Sequence, residues 1–185
     1  MKKVIISVIG QDRPGIVAAL SGALLSLDCN VENVSQTILQ SVFGAILIVA
    51  APDGVANEAI KASLEDAVAH LSLEVMVTRF PAETQVASGP EEGDPFVITT
   101  MGPDRKGLVA ATTKVLADHG VNITNLKAVF KGGDDPFKNM MIYEVTIPGR
   151  AIPAALYRDL KATASKLGLD INIQHRHIFE TMSRI

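Results

Sequence analysis

The chain has no tryptophan, and aromatic residues of all kinds make up 4% of its 185 positions. It has a single cysteine, Cys29. One thiol cannot close an internal disulfide, and a chain without disulfides suits a reducing compartment. No apolar run approaches the roughly 20 residues that a membrane-spanning helix needs. The opening MKKVIISVIG joins basic residues to an apolar stretch, but Gln11, Asp12 and Arg13 break it too early for a signal peptide. A cytoplasmic location is the expectation. Positive charge is sparse too: the net charge is −3, and no more than two Lys or Arg residues are adjacent. Direct DNA binding calls for a basic face that neutralises phosphates, so none is expected. No P-loop, Ser/His/Asp grouping or pair of carboxylates recurs, which argues against an enzyme, and no cofactor motif is found.

What is present is ordinary globular material, 48% apolar and 20% charged, and it is written twice. Aligning Val4–Asn33 with Phe96–Asn125, an offset of 92, gives 11 identities in 30 positions. They include Gly10/Gly102, Asp12/Asp104, Arg13/Arg105, Gly15/Gly107, Asn30/Asn122 and Asn33/Asn125. A repeat of this period means two copies of one domain. Between them PAETQVASGPEEGDP, Pro81–Pro95, has no periodic pattern and reads as a linker. The expected division is residues 1–82, a linker at 83–92, and residues 93–185.

Each copy reads as βαββαβ. In the first, strands are expected at Val4–Ile9, Asn33–Gln40, Gly44–Ala50 and Leu73–Arg79. Helices are expected from Pro14 to about Leu27, with Ile16, Leu20, Leu24 and Leu27 at helical spacing, and over Ala56–Leu71. In the second, strands fall at Phe96–Met101, Asn125–Lys131, Met140–Ile147 and Leu169–His177, and helices at Gly107–His119 and Pro153–Leu167. Its hairpin loop GGDDPFKN is longer and polar. This is the ferredoxin-like split unit: a four-stranded antiparallel sheet with two helices on one face, the first and third strands central. The central strands of the first copy are apolar on both faces, so a second domain or subunit is expected to cover the open one.

The recurring turn carries the chemistry. GQDRPGIV follows one apolar strand and GPDRKGLV the other. Proline suits the first position of a helix, and Asp12 can cap the first-turn amides. Gly15, lacking a Cβ, lets backbone or ligand approach closely. Free amides near Gly15–Val17 and the positive helix end suit a carboxylate, while Asp12 can accept hydrogen bonds from an ammonium group. Together they match a free α-amino acid. A plainer reading stays open, in which Asp12 and Asp104 are only caps and Asn30 and Asn122 only turn formers.

GQDRPGIV with CNVEN, and GPDRKGLV with VNITN, resemble the ACT domain, a βαββαβ small-molecule-binding module. Two such domains over about 170 residues resemble the glycine cleavage system transcriptional repressor family. The resemblance implies amino-acid contact at an interface between two ACT domains. The ligand-binding set is then Asp12, Pro14, Gly15, Ile16 and Asn30 in the first copy, and Asp104, Gly107, Leu108 and Asn122 in the second. Lys106 departs from the pattern where the first copy has Pro14; either it pairs with a ligand carboxylate or the second site is degenerate. The resemblance implies a small amino acid (glycine or serine-like) as ligand, a transcriptional activator as protein partner, and a homo-oligomer, a dimer being expected. The alternative is a regulatory subunit of an amino-acid metabolic enzyme. Similar segments precede formyltetrahydrofolate deformylase and phosphoserine phosphatase catalytic domains, of which this chain has neither.

The remaining features are weaker. His175 and His177 share a strand face but lack a third ligand for a metal. Cys29 aligns with Val121, as a small core residue does. Asp134 and Asp135 read as a solvated loop tip. An RNA-binding domain has the same βαββαβ order but stacks bases on aromatics of its central strands. VIISVI and GAILIVA have none.

Overall fold

A computed structural model describes residues 1–81, 93–130, 139–149 and 152–177. The chain divides into two compact units, Met1–Ala87 and Ser88–Ile185. The first runs β1 (Lys2–Gln11), α1 (Ile16–Ser26), β2 (Asn30–Leu39), β3 (Val42–Ala51), α2 (Asn57–Ala67) and β4 (Leu73–Arg79). The second runs β5 (Gly93–Gly102), α3 (Leu108–Asp118), β6 (Asn122–Phe130), β7 (Asn139–Pro148), α4 (Ala154–Leu167) and β8 (Asp170–His175). Each unit is one four-stranded antiparallel sheet, ordered β2-β3-β1-β4 and β6-β7-β5-β8. The expected fold, with first and third strands central, is the one found.

Alternation along β1 decides which side is core. Val4, Ile6 and Val8 point into the helix-covered side, together with Leu47 and Val49 of β3. Against them α1 sets Ile16, Leu20 and Leu24, and α2 sets Ile60 and Leu64, one residue per helical turn. Val68 and Leu71 stay buried, but a separate 3₁₀ turn (Ala69–Leu71) carries the chain there, so α2 stops earlier than periodicity suggested. The second core repeats the design with Ile98, Tyr143, Leu116, Leu156 and Leu160.

Three boundaries correct the sequence reading. α1 starts at Ile16, because Gly15 has φ 94° and lies outside helical space; Pro14 sits in the turn, not at the first helical position. β2 and β6 start at Asn30 and Asn122, with the register shifting between Val31 and Asn33 and between Ile123 and Asn125. A bulge breaks the two-residue alternation by which a strand is recognised, so Asn30 and Asn122 are strand residues and not turn formers. β7 begins at Asn139, which read as the last loop residue. Residues 132–138 of that loop lie outside the described residues, as do Asp134 and Asp135.

The opposite face of the first sheet carries Ile5, Ile9, Ile46, Ile48 and Met76. No element among the described residues of this unit covers it, and Ile9 and Ile46 are 53% and 56% exposed. None of its residues is aromatic: Phe43 of β3 is in the core.

Candidate functional site

Each domain turns from its first strand into its first helix in the same way, and the structure assigns the two repeated glycines different jobs. A Cβ on Gly10 would lie 2.7 Å from Leu73 Cδ2 and 2.9 Å from the Ser72 carbonyl. On Gly102 it would lie 2.7 Å from Leu169 Cδ2 and 2.8 Å from the Gly168 carbonyl. These glycines let the edge strand approach. Gly15 and Gly107 have open space around the missing Cβ but φ of 94° and 90°, so conformation requires them rather than crowding.

Gly15 and Gly107 are also the N-cap residues, and neither helix start has a side-chain cap. Asp12 and Asp104 therefore do not cap, which corrects one of the two readings of those carboxylates. Asp12 is exposed, and its backbone N–H donates to the Ser41 carbonyl at 2.8 Å, tying the turn to the β2–β3 hairpin. Arg13 turns aside to donate to Gln11 Oε1 at 2.9 Å. The first helical hydrogen bonds run from Ala19 N–H to Gly15 O and from Ala111 N–H to Gly107 O, both 2.9 Å. The amides of Ile16, Val17 and Ala18, and of Leu108, Val109 and Ala110, precede them and have no partner within their helix. Three amides at the positive end of a helix, beside an exposed aspartate, offer a carboxylate and an ammonium group their complements.

The asparagines are placed elsewhere. Asn30 lies opposite Ala50, which pairs with Lys3, whereas Gln11 pairs with Val42, opposite Leu39. Asn30 thus sits at the far end of the sheet from its own turn, about 26 Å away at roughly 3.3 Å per strand residue. Asn122 lies opposite Thr146, which pairs with Pro95, again remote from Gly102. Within one domain the turn residues come together and the asparagine does not join them. Any site that uses both must draw on two domains.

One residue that sequence reasoning missed is Asn139. It pairs with Gly102 in register and lines a recess of about 290 Å³ with Asp104, Arg105, Gly107, the first turn of α3 and Met141. It is 6% exposed, and its Oδ1 has no hydrogen-bond partner among the described residues. Nearby in the core, Thr112 Oγ1 donates to the Leu108 carbonyl at 3.1 Å, and the Tyr143 hydroxyl donates to Met141 Sδ at 3.4 Å. Burial pushes the Tyr143 phenol up. Thr100 Oγ1 is buried with no hydrogen-bond partner among the described residues. A larger concavity, about 590 Å³, lies on the open face of the first sheet between Ile9, Ile46, Met76 and Glu74. It lies on the sheet face opposite the helices, and its lining holds no cation for a carboxylate. Among the described residues no cluster of three metal-ligating side chains occurs. β8 ends at His175, whose ring stacks on that of His177 with centroids 5.4 Å apart.

Two ferredoxin-like units, each opening its first helix with bare amides beside an aspartate, define a tandem βαββαβ repeat. The chain belongs to the ACT domain family, whose model matches residues 2–78 and again 94–174. A UPF0237 protein of Methanococcus maripaludis is 35% identical over 89 residues, 48% of this chain and 96% of the relative. Another, from Neisseria meningitidis, is 37% identical over 90 residues, 48% of this chain and 96% of its own. A crystal structure of an unknown protein from Galdieria sulphuraria is 27% identical, with a TM-score of 0.71 over 94% of this chain and 98% of that one. A protein provisionally assigned as a glycine cleavage system transcriptional repressor has the same fold: 16% identity, TM-score 0.67, 94% of this chain and 96% of that one. No helix among the described residues is long and apolar enough to cross a membrane.

Proposed function

We propose that this chain is a non-catalytic cytoplasmic sensor of a small amino acid, glycine or serine-like. It passes ligand occupancy to a protein partner, a transcriptional regulator of glycine and one-carbon metabolism, and does not bind DNA itself. The observation that carries the reading is the doubled turn. Evolution of a helix start toward stability alone favours a side-chain cap, yet both copies leave three amides bare and hold an aspartate exposed beside them. In this reading the α-carboxylate takes the amides at Ile16 or Leu108, with Pro14, Gly15 and Gly107 shaping the turn. The ammonium group takes Asp12 or Asp104. Asn30 and Asn122, remote from their own turns, serve the turn of another ACT domain, which makes the site an interface and the protein a homo-oligomer. The similarly folded repressor-like structure and the net charge of −3 are consistent with a protein that acts through a partner.

The test is ligand-induced thermal stabilisation of the full chain across the twenty amino acids. At least one should raise the melting temperature at millimolar concentration, and the Asp12→Ala Asp104→Ala double variant should lose the response. A response that survives in the double variant would place the ligand elsewhere.

A further inference from the structure

The two domains share a turn but not the ground beneath it. Among the described residues the first core encloses no polar side chain, whereas the second encloses Thr100, Thr112 and Asn139. The strand register makes Asn139 the counterpart of Phe43, since Gly10 lies opposite Phe43 and Gly102 opposite Asn139. A buried phenyl ring needs no hydrogen bond. A buried carboxamide oxygen left unpaired is costly to fold around, and such groups in native proteins usually have a partner to meet. Asn139 lines the recess at the α3 start, so the missing partner has a place to sit.

We propose that the second domain takes an amino acid whose side chain carries a hydroxyl or carboxamide, read by Asn139, and that the first domain's site lacks this preference. The inference rests on the reading of the turns as amino-acid sites. With the α-carboxylate on the amides of Leu108, Val109 and Ala110 and the ammonium group on Asp104, the side chain points to the floor where Asn139 lies. The recess, about 290 Å³, suits a small amino acid. A hydroxyl or carboxamide both donates and accepts, so it satisfies Asn139 whichever end of its carboxamide faces the recess. A methyl group satisfies neither.

The experiment is a calorimetric titration of the full chain with L-serine and with L-alanine, which differ by one hydroxyl. A site built to hydrogen-bond a polar group discriminates strongly against the analogue that lacks it, so serine should bind at least tenfold more tightly. Asn139→Leu should bring serine down to the alanine level, leave alanine unchanged, and raise the melting temperature of the ligand-free protein. Asp12→Ala should keep the serine preference and Asp104→Ala should lose it; the reverse would place the discrimination in the first domain and overturn the proposal. Equal affinities for serine and alanine in the wild-type protein would also overturn it, while leaving the amino-acid reading intact. Absence of binding by any amino acid would bring down both. If Asn139→Leu does not fold, the wild-type comparison still decides.

Discussion

The Asp12 carboxylate makes no hydrogen bond or ion pair among the described residues, and the N-cap position of its helix is held by Gly15. Removing it should therefore cost the fold little. Asp12→Ala is expected to change unfolding free energy by less than about 0.5 kcal/mol, as at an ordinary surface position. Gly15→Ala, by contrast, puts a Cβ on a residue at φ 94° and should cost about 1 kcal/mol by chemical denaturation. A cost above about 1 kcal/mol for Asp12→Ala would show a structural role that the geometry lacks. Part of this was legible beforehand. The recurrence of Gly10, Asp12 and Gly15 marked the turn, although β1 runs on to Gln11 and α1 starts at Ile16, two residues later at each end than expected. Two physical details were not legible. Whether a glycine serves space or conformation depends on φ and on what stands opposite, here Ser72 and Leu73 across the sheet. Asn139 was hidden because a polar residue at the end of a polar loop looks solvated until strand register turns it inward.

At the level of strands and helices, burial separates two faces of the same sheet. Leu64 of α2 is fully buried against the first core, and Leu64→Ala should lower stability by about 2–5 kcal/mol. Ile46, on the open face, is more than half exposed, so Ile46→Lys should leave the stability of the isolated chain within about 0.5 kcal/mol. If the face serves self-association, the same change lowers the mass measured by sedimentation; an unchanged mass would separate oligomerisation from this face. The second domain has a device that the first lacks. His119, just past α3, meets Asp159 of α4 with Nε2 to Oδ2 at 3.0 Å. Hydrogen bonding from His119 holds the Asp159 carboxyl below its ordinary value. A depressed folded value stabilises above the unfolded value, near 3.9 for aspartate, and is lost as pH falls through the folded one. Asp159→Asn should thus weaken the protein at neutral pH and leave less further loss below about pH 4, as read from melting temperature against pH. Helices and central strands were legible because Ile16, Leu20 and Leu24, or Val4, Ile6 and Val8, keep one period throughout. The starts of β2 and β6 were not, because the bulges after Val31 and Ile123 interrupt the period of two.

At the scale of the whole molecule, one domain has been written twice and then allowed to diverge. The two cores keep leucines at Leu24 and Leu116, at Leu64 and Leu160, while the floor beneath the turn changes from Phe43 to Asn139. Fold conserved and floor altered is what two related sites of different preference require. The central claim is that the paired turns hold free amino acids, and equilibrium calorimetry on the full chain tests it most directly. A panel of the twenty amino acids should yield at least one saturable titration, with Asp12→Ala and Asp104→Ala each removing the sites of one domain and the double variant giving no heat. No saturable heat from any amino acid at millimolar concentration, with the melting transition intact, would contradict the account and leave a module that binds proteins alone.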